Sequence, residues 1–125
     1  SWFDGSLDWH HSASRFAGAG ITNKGTLFSY LADWEAPGRW GIEVLTRKHR
    51  LIFRPMEQLQ VTELGSVKIN QVMIDDRLDQ TYKPGLYLQT EAFLNKNTTK
   101  LCSLNEQVAH TVFYSQIAGY DLTNR

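Results

Sequence analysis

The chain changes its periodicity once, and that single change limits its fold more than any other feature. Up to about residue 74 its apolar residues alternate; beyond residue 84 they recur every three to four positions. In residues 26–34, Phe28, Tyr30, Ala32 and Trp34 point one way from an extended chain, and Leu27, Ser29, Leu31 and Asp33 point the other. Residues 39–46 repeat the pattern, with Trp40, Ile42 and Val44 against Gly41, Glu43 and Leu45. Residues 49–54 set Leu51 and Phe53 against Ile52. Residues 58–62 give a short strand and residues 67–74 a longer one. Residues 6–16, which include His10 and His11, alternate loosely and are read as a first strand.

Turn chemistry joins these strands. Residues 17–20 (Ala-Gly-Ala-Gly) and 23–25 (Asn-Lys-Gly) are read as turn material. Pro37 and Gly38 suit the central positions of a type II turn, because glycine accepts the positive φ required there. That turn predicts a hairpin pairing residues 26–34 with 39–46, with Asp33 and Glu43 facing each other. Residues 75–79 are polar and read as a connection. Pro84 then opens a helix to about Asn95, with Leu86, Thr90, Phe93 and Leu94 as its inner stripe. Ser103, followed three residues later by Glu106, forms a capping box for a second helix running to about Ile117. Leu104, Val108 and Val112 recur along it, joined by Phe113 and Ile117, and Gly119 ends it.

Strands first and helices last define an α+β fold, not alternating βαβ units. The expectation is one domain over residues 1–125: an open, mainly antiparallel sheet of about five to six strands, followed by two C-terminal helices covering one face. Both faces of such a sheet remain substantially apolar. A helical cover on one side would leave a broad apolar patch, which usually marks a partner surface. A homo-oligomer formed through the open sheet face is therefore expected.

Charge and cysteine content narrow the partners. Thirteen basic residues balance thirteen acidic ones, which argues against nucleic acid or anionic lipid as a partner. The basic run Arg47-Lys48-His49-Arg50 reads as solvated turn charge. One cysteine, Cys102, excludes an internal disulfide and a cysteine-based zinc site, and a reducing, cytoplasmic setting is the expectation. No apolar run approaches the ~20 residues that a membrane span needs. The N-terminal Ser-Trp-Phe-Asp-Gly lacks both a Met and a basic-then-apolar leader, which points to the middle of a longer chain or to a trimmed one.

Candidate chemistry is sparse. The chain has no G-x-G-x-x-G loop and no phosphate-binding P-loop, so no cofactor is expected on this chain itself. His10 and His11 would point to opposite faces of a strand and cannot share one ion there. Cys102 lies beside a helix start, where a thiol pKa can fall, yet a small residue packed near a cap describes it as well. Asp33 and Glu43 offer paired carboxylates for acid–base work, or an ordinary cross-strand pair. Trp2, Trp9, Trp34 and Trp40 invite a carbohydrate-binding reading or a core-filling one. The substrate-binding candidates are His10, His11, Asp33, Arg39 and Trp40; no residue is assigned as catalytic and none as a metal ligand.

Three stretches in order carry a resemblance: "GTLFSYLADWEAPGRWGIEVLTRKHRLIFRPMEQL", "YKPGLYLQTEAFL" and "SLNEQVAHTVFYSQIAGYD". Together they resemble the C-terminal domain of the Gfo/Idh/MocA oxidoreductases, NAD(P)-dependent dehydrogenases of sugars, inositols and nucleotide sugars. The resemblance covers most of residues 25–120. It implies an open sheet that forms one wall of a substrate pocket and the main oligomer interface, partnered by a Rossmann domain in the parent chain. The family's Gly-rich loop, its Glu-Lys-Pro motif and its Asp-plus-His pair have no counterpart here. The resemblance thus implies a substrate-side and oligomerisation domain that lacks the cofactor site and is not catalytically competent alone. The alternative is a stand-alone carbohydrate-binding or self-assembling β-sheet module.

Overall fold

Two antiparallel sheets and a set of late helices make up the chain, an α+β fold. The computed structural model describes residues 1–120. Their order is β1 (Trp2–Asp4), β2 (Arg15–Ile21), β3 (Leu27–Asp33), β4 (Ile42–Leu45), β5 (His49–Phe53), β6 (Leu59–Glu63), β7 (Asn70–Val72), α1 (Arg77–Thr81), α2 (Leu86–Leu94), a 3-10 turn at Thr98–Lys100, and α3 (Leu104–Ala118). One sheet has the order β1-β2-β3, the other β4-β5-β6-β7. The chain divides accordingly into a first unit, Ser1–Pro37 with the segment from Cys102 onward, and a second unit, Gly38–Leu101.

This division corrects the expected hairpin. β3 and β4 lie in different sheets, so Asp33 and Glu43 are not cross-strand neighbours. Asp33 is opposite Arg15 of β2, and Glu43 is opposite Ile52 of β5. The chain turns earlier than Pro37-Gly38: the Ala36 N–H donates to the Asp33 carbonyl at 3.4 Å, and the Asp33 carboxylate accepts the Glu35 N–H at 2.9 Å. An aspartate that satisfies the backbone two residues on offers the chain a turn one step before the proline.

In the first unit the β2–β3 ladder is the longest. Phe16, Gly18 and Gly20 of β2 stand opposite Ala32, Tyr30 and Phe28 of β3. The Tyr30 and Phe28 rings lie over the two glycines, in the space that a Cβ at Gly18 or Gly20 would occupy. This explains why the Ala-Gly-Ala-Gly stretch is strand and not turn: small residues make room for aromatic rings from the neighbouring strand. Helix α3 packs on β1 and β2. Phe16 (7 % exposed) and Ser115 (2 %) are the buried residues of these packed elements. On the other face, Trp2, Ile21, Leu27 and Leu31 are all exposed.

Helix α3 starts where the capping box predicts. The Glu106 N–H donates to the Ser103 hydroxyl at 3.2 Å, and the Glu106 carboxylate accepts the Ser103 backbone N–H at 2.8 Å. Gly119, at φ +75°, closes the helix with its N–H bonded to the Ser115 carbonyl. Leu104, Val108 and Val112 share the helix face of Ser115, but they remain exposed. Removing the cap in Ser103→Ala is expected to lower stability by about 1 kcal/mol, measured by chemical denaturation. The Ser103 backbone bond, and then its hydroxyl, hold Glu106 below the ordinary carboxylate value of 4.5. A lowered folded-state pKa stabilises above that ordinary value. The contribution is lost as pH falls through the folded value, so the difference between wild type and Ser103→Ala should shrink in acid.

The second unit holds the more amphipathic sheet. Register places Ile42, Val44, Leu51, Phe53, Leu59, Val61 and Val72 on one face. The opposite face carries Glu43, Leu45, Arg50, Ile52, Gln60, Thr62 and Gln71, with an Arg50–Glu43 ion pair at 3.0 Å. None of the seven apolar residues is buried; the only buried apolar residue described in this unit is Ala92 of α2. Among the described residues, α1 and α2 pack on each other and α2 packs on the 3-10 turn, leaving the sheet without helical cover within its own unit.

Three expectations change here. The inner stripe proposed for the helix after Pro84 is exposed: Phe93 is 71 % and Leu94 72 % accessible, and Ala92 takes the buried position. Residues 77–81 form α1 where only a connection was expected; the Gln80 side chain reaches back to the Asp76 carboxylate at 2.9 Å. The strand expected at 67–74 shrinks to Asn70–Val72, because pairing with β6 extends only from Leu59 to Val61.

Candidate functional site

The most constructed part of the surface lies in the first unit, on the segment between β1 and β2. That segment was expected to be strand. It is instead a folded loop, closed by reciprocal backbone bonds between Leu7 and His10 at 2.9 and 3.0 Å. Ala13 and Ser14 at its end are fully buried. Ser14 ties three segments together. Its N–H donates to the Asp4 carbonyl at 2.9 Å, its carbonyl accepts the Trp34 N–H at 3.0 Å, and its hydroxyl donates to the Glu35 carboxylate at 2.9 Å. Gly5 makes this possible: at φ +77° it passes so close to the Ser14 hydroxyl that a side chain there would collide with it.

His10 anchors the loop. Its Nδ1 lies 2.7 Å from the Ala13 carbonyl oxygen, an acceptor only, so Nδ1 carries the proton and donates. The 3.3 Å approach of the Ala13 N–H to the same nitrogen is then a contact and not a second bond. The imidazole ring is packed among Trp9, Phe16 and Tyr120, with centroids at 5.7, 5.9 and 5.2 Å. Trp9 in turn meets Trp34 edge to face, 5.5 Å between centroids and 82° between planes. Both indoles are more than half exposed, 67 % for Trp9 and 52 % for Trp34. Trp34 stands between Asp33 and Glu35, whose carboxylates are held by the turn and by Ser14.

The residues singled out from the sequence are distributed over both units. His10 and Asp33 belong to the first unit, His10 as a packed anchor and Asp33 as a turn-former. His11 is an exposed neighbour on the same loop. Arg39 and Trp40 belong to the second unit. There Arg39 approaches Glu57 at 3.9 Å and Trp40 is 69 % exposed. Trp9, Ser14 and Glu35 were missed. Trp9 was legible only as one of four tryptophans, and nothing in the sequence of Ser14 marks it as fully buried.

Among the described residues, the carboxylate displaced furthest is Asp75, drawn down to about 2 by hydrogen bonds from Arg77. That pair is bidentate, with both bonds at 2.8 Å, and stands exposed at the entry to α1. Among the described residues no group of three or more His, Cys, Asp or Glu side chains is placed to hold a metal ion. No described helix is long and apolar enough to cross a membrane. Two open hollows lie in the second unit, about 410 Å³ beside Pro84 and Lys100 and about 230 Å³ at the end of the β4–β5 hairpin. Neither is lined by the candidates named above. No protein family, curated protein or solved structure matches the chain.

Proposed function

We propose that this chain is the substrate-side and oligomerisation domain of a nicotinamide-dependent sugar or nucleotide-sugar dehydrogenase of the Gfo/Idh/MocA type. On this reading it works in the cytoplasm, and a Rossmann domain of the parent chain carries NAD(P). The observation that carries the proposal is the apolar face of the β4–β7 sheet, seven aliphatic and aromatic side chains with none buried. An antiparallel sheet ordinarily sets one face on a core and one in water. Here the face that would meet a core lacks helical cover within its unit, so a partner is the natural cover. The ordered three-part resemblance of residues 25–120 supports this choice of parent family.

Four short strands of this kind project roughly 300 Å² on one face, from strand spacing and rise. A standard interface takes about 800 Å² from each partner. The sheet face therefore serves as the centre of an interface whose rim comes from other surfaces. Light scattering on the 125-residue chain at high concentration is expected to give an oligomer, and titration with NADH is expected to give no binding. A monomer would remove the assembly role. Tight NADH binding would remove the claim that the cofactor half lies elsewhere.

A further inference from the structure

We propose that β3 is a self-pairing edge: two copies of the chain join their first sheets by laying β3 antiparallel on β3, about a two-fold axis at Ser29. This interface is the edge of the first sheet, not the face of the second. It goes beyond the proposed function and stands whether or not the parent chain is a dehydrogenase.

Backbone geometry sets β3 apart from the other strands. It ends the first sheet, with β2 on one side and no described strand on the other. Among the described elements it packs against β2 alone. The Trp34 N–H donates to the Ser14 carbonyl at 3.0 Å, and the Thr22 N–H donates to the Thr26 carbonyl at 2.9 Å. These two bonds bracket the β2–β3 ladder and fix its parity. Hydrogen-bonded pairs alternate along an antiparallel ladder, so Phe28, Tyr30 and Ala32 turn their N–H and C=O groups toward β2. Leu27, Ser29 and Leu31 turn theirs outward.

Proteins blunt such edges with short strands, charges, prolines or bulges. The other edge strands follow that rule: β1 and β7 are three residues long, and β4, with four, carries Glu43. β3 does not. It is seven residues long, and Leu27 to Leu31 contain neither charge nor proline. Its register with β2 runs from Asp33–Arg15 to Leu27–Ile21 without a bulge. The rings of Phe28 and Tyr30 lean over Gly20 and Gly18 of β2, away from the outer edge, which leaves a second strand room to approach.

A second copy is the occupant that the sequence of β3 fits. With Ser29 opposite Ser29 of the other copy, Leu27 meets Leu31 and Leu31 meets Leu27, and every outward N–H and C=O of these residues gains a partner. Moving the axis to Tyr30 would set Leu27 against Asp33, whose carbonyl and carboxylate already accept the Ala36 and Glu35 N–H groups. The two-fold pairing also closes on itself. Both long edges are used, and the ends of the joined sheet are the three-residue β1 strands. So short a ladder buries much less than the about 800 Å² per partner of a standard interface, so a dissociation constant on the order of 100 μM is expected.

The test is amide hydrogen exchange by NMR, with sedimentation equilibrium, on the whole chain carrying Leu51→Glu, a change on the β4–β7 face that leaves β3 untouched. From about 10 μM to about 1 mM, the Leu27, Ser29 and Leu31 amides are expected to slow about fourfold, by mass action at that dissociation constant. The Phe28 and Tyr30 amides, bonded to β2, should keep one rate. Sedimentation should show dimers and nothing larger. Ser29→Pro should raise the dissociation constant at least tenfold, because it removes the N–H at the axis while the N–H groups that face β2 remain. Ser29→Thr keeps that N–H and should dimerise as its parent does. Far-ultraviolet circular dichroism reports folding; if Ser29→Pro does not fold, the amide rates decide. The proposal is overturned if the chain stays monomeric at the higher concentration, if dimers form without slowing the three outward amides, or if folded Ser29→Pro dimerises as its parent does. Comparing wild type with Leu51→Glu tests the sheet face by itself, so the two interfaces fail separately.

Discussion

On the proposed assembly through the β4–β7 face, Leu51→Glu is expected to give monomers, with the dissociation constant raised at least a hundredfold. Leu51 lies on β5, opposite Val44 on one side and Val61 on the other, at the middle of the apolar face. A carboxylate at the centre of an interface loses its water without gaining a partner, a penalty of about 3 kcal/mol or more. Leu45→Glu is the control. Leu45 is on the same small sheet but the opposite face, is 68 % exposed, and already neighbours the charged Arg50. Sedimentation velocity of the two variants separates a face-specific interface from general stickiness. Equal loss in both would show that the apolar face is not the interface.

Gly5→Ala is expected to cost about 2–4 kcal/mol of stability and to disorder the Leu7–Ser14 loop. Two separate penalties coincide at this position. Gly5 has φ +77°, where an ordinary residue is strained by about 1–2 kcal/mol. Its added Cβ would also strike the Ser14 hydroxyl, which is fully buried and cannot swing aside without releasing Glu35. Loss of that hydrogen bond adds about another 1 kcal/mol. Urea denaturation gives the total. Gly25→Ala is a useful comparison, because Gly25 has a similar φ of +80° with nothing near it, so only the strain should appear. If the two variants are equally destabilised, Ser14 is not the pin described above.

The fold class was legible because periodicity is a backbone property that survives without knowledge of partners. β3 covers Leu27–Asp33 within the expected 26–34, and Ser103, Glu106 and Gly119 bound α3 as their chemistry requires. Two features misled. Glycine reads as punctuation at residues 17–20, but its smallness there admits neighbouring rings. Pro37-Gly38 reads as a hairpin, but Asp33 turns the chain before it. The candidate site was less legible still. His10 and Asp33 were picked for their chemistry, yet one anchors a loop and the other shapes a turn. Trp9, Ser14 and Glu35 come together through contacts 21 to 25 residues apart in the chain, Ser14–Glu35 and Trp9–Trp34, and no local pattern encodes such pairings.

The rings of Tyr30 and Phe28 resting on Gly18 and Gly20 carry a consequence for how this sequence can drift. Each ring occupies the volume a larger residue at its partner position would need, so positions 18 with 30 and 20 with 28 are two linked choices and not four free ones. A slip of the ladder by two residues in one direction would bring Tyr30 against Phe16, where no gap exists for it. The same four residues therefore disfavour that slip and support the observed alignment of β2 and β3. In related chains a bulkier residue at 18 or 20 should arrive together with a smaller one across the ladder.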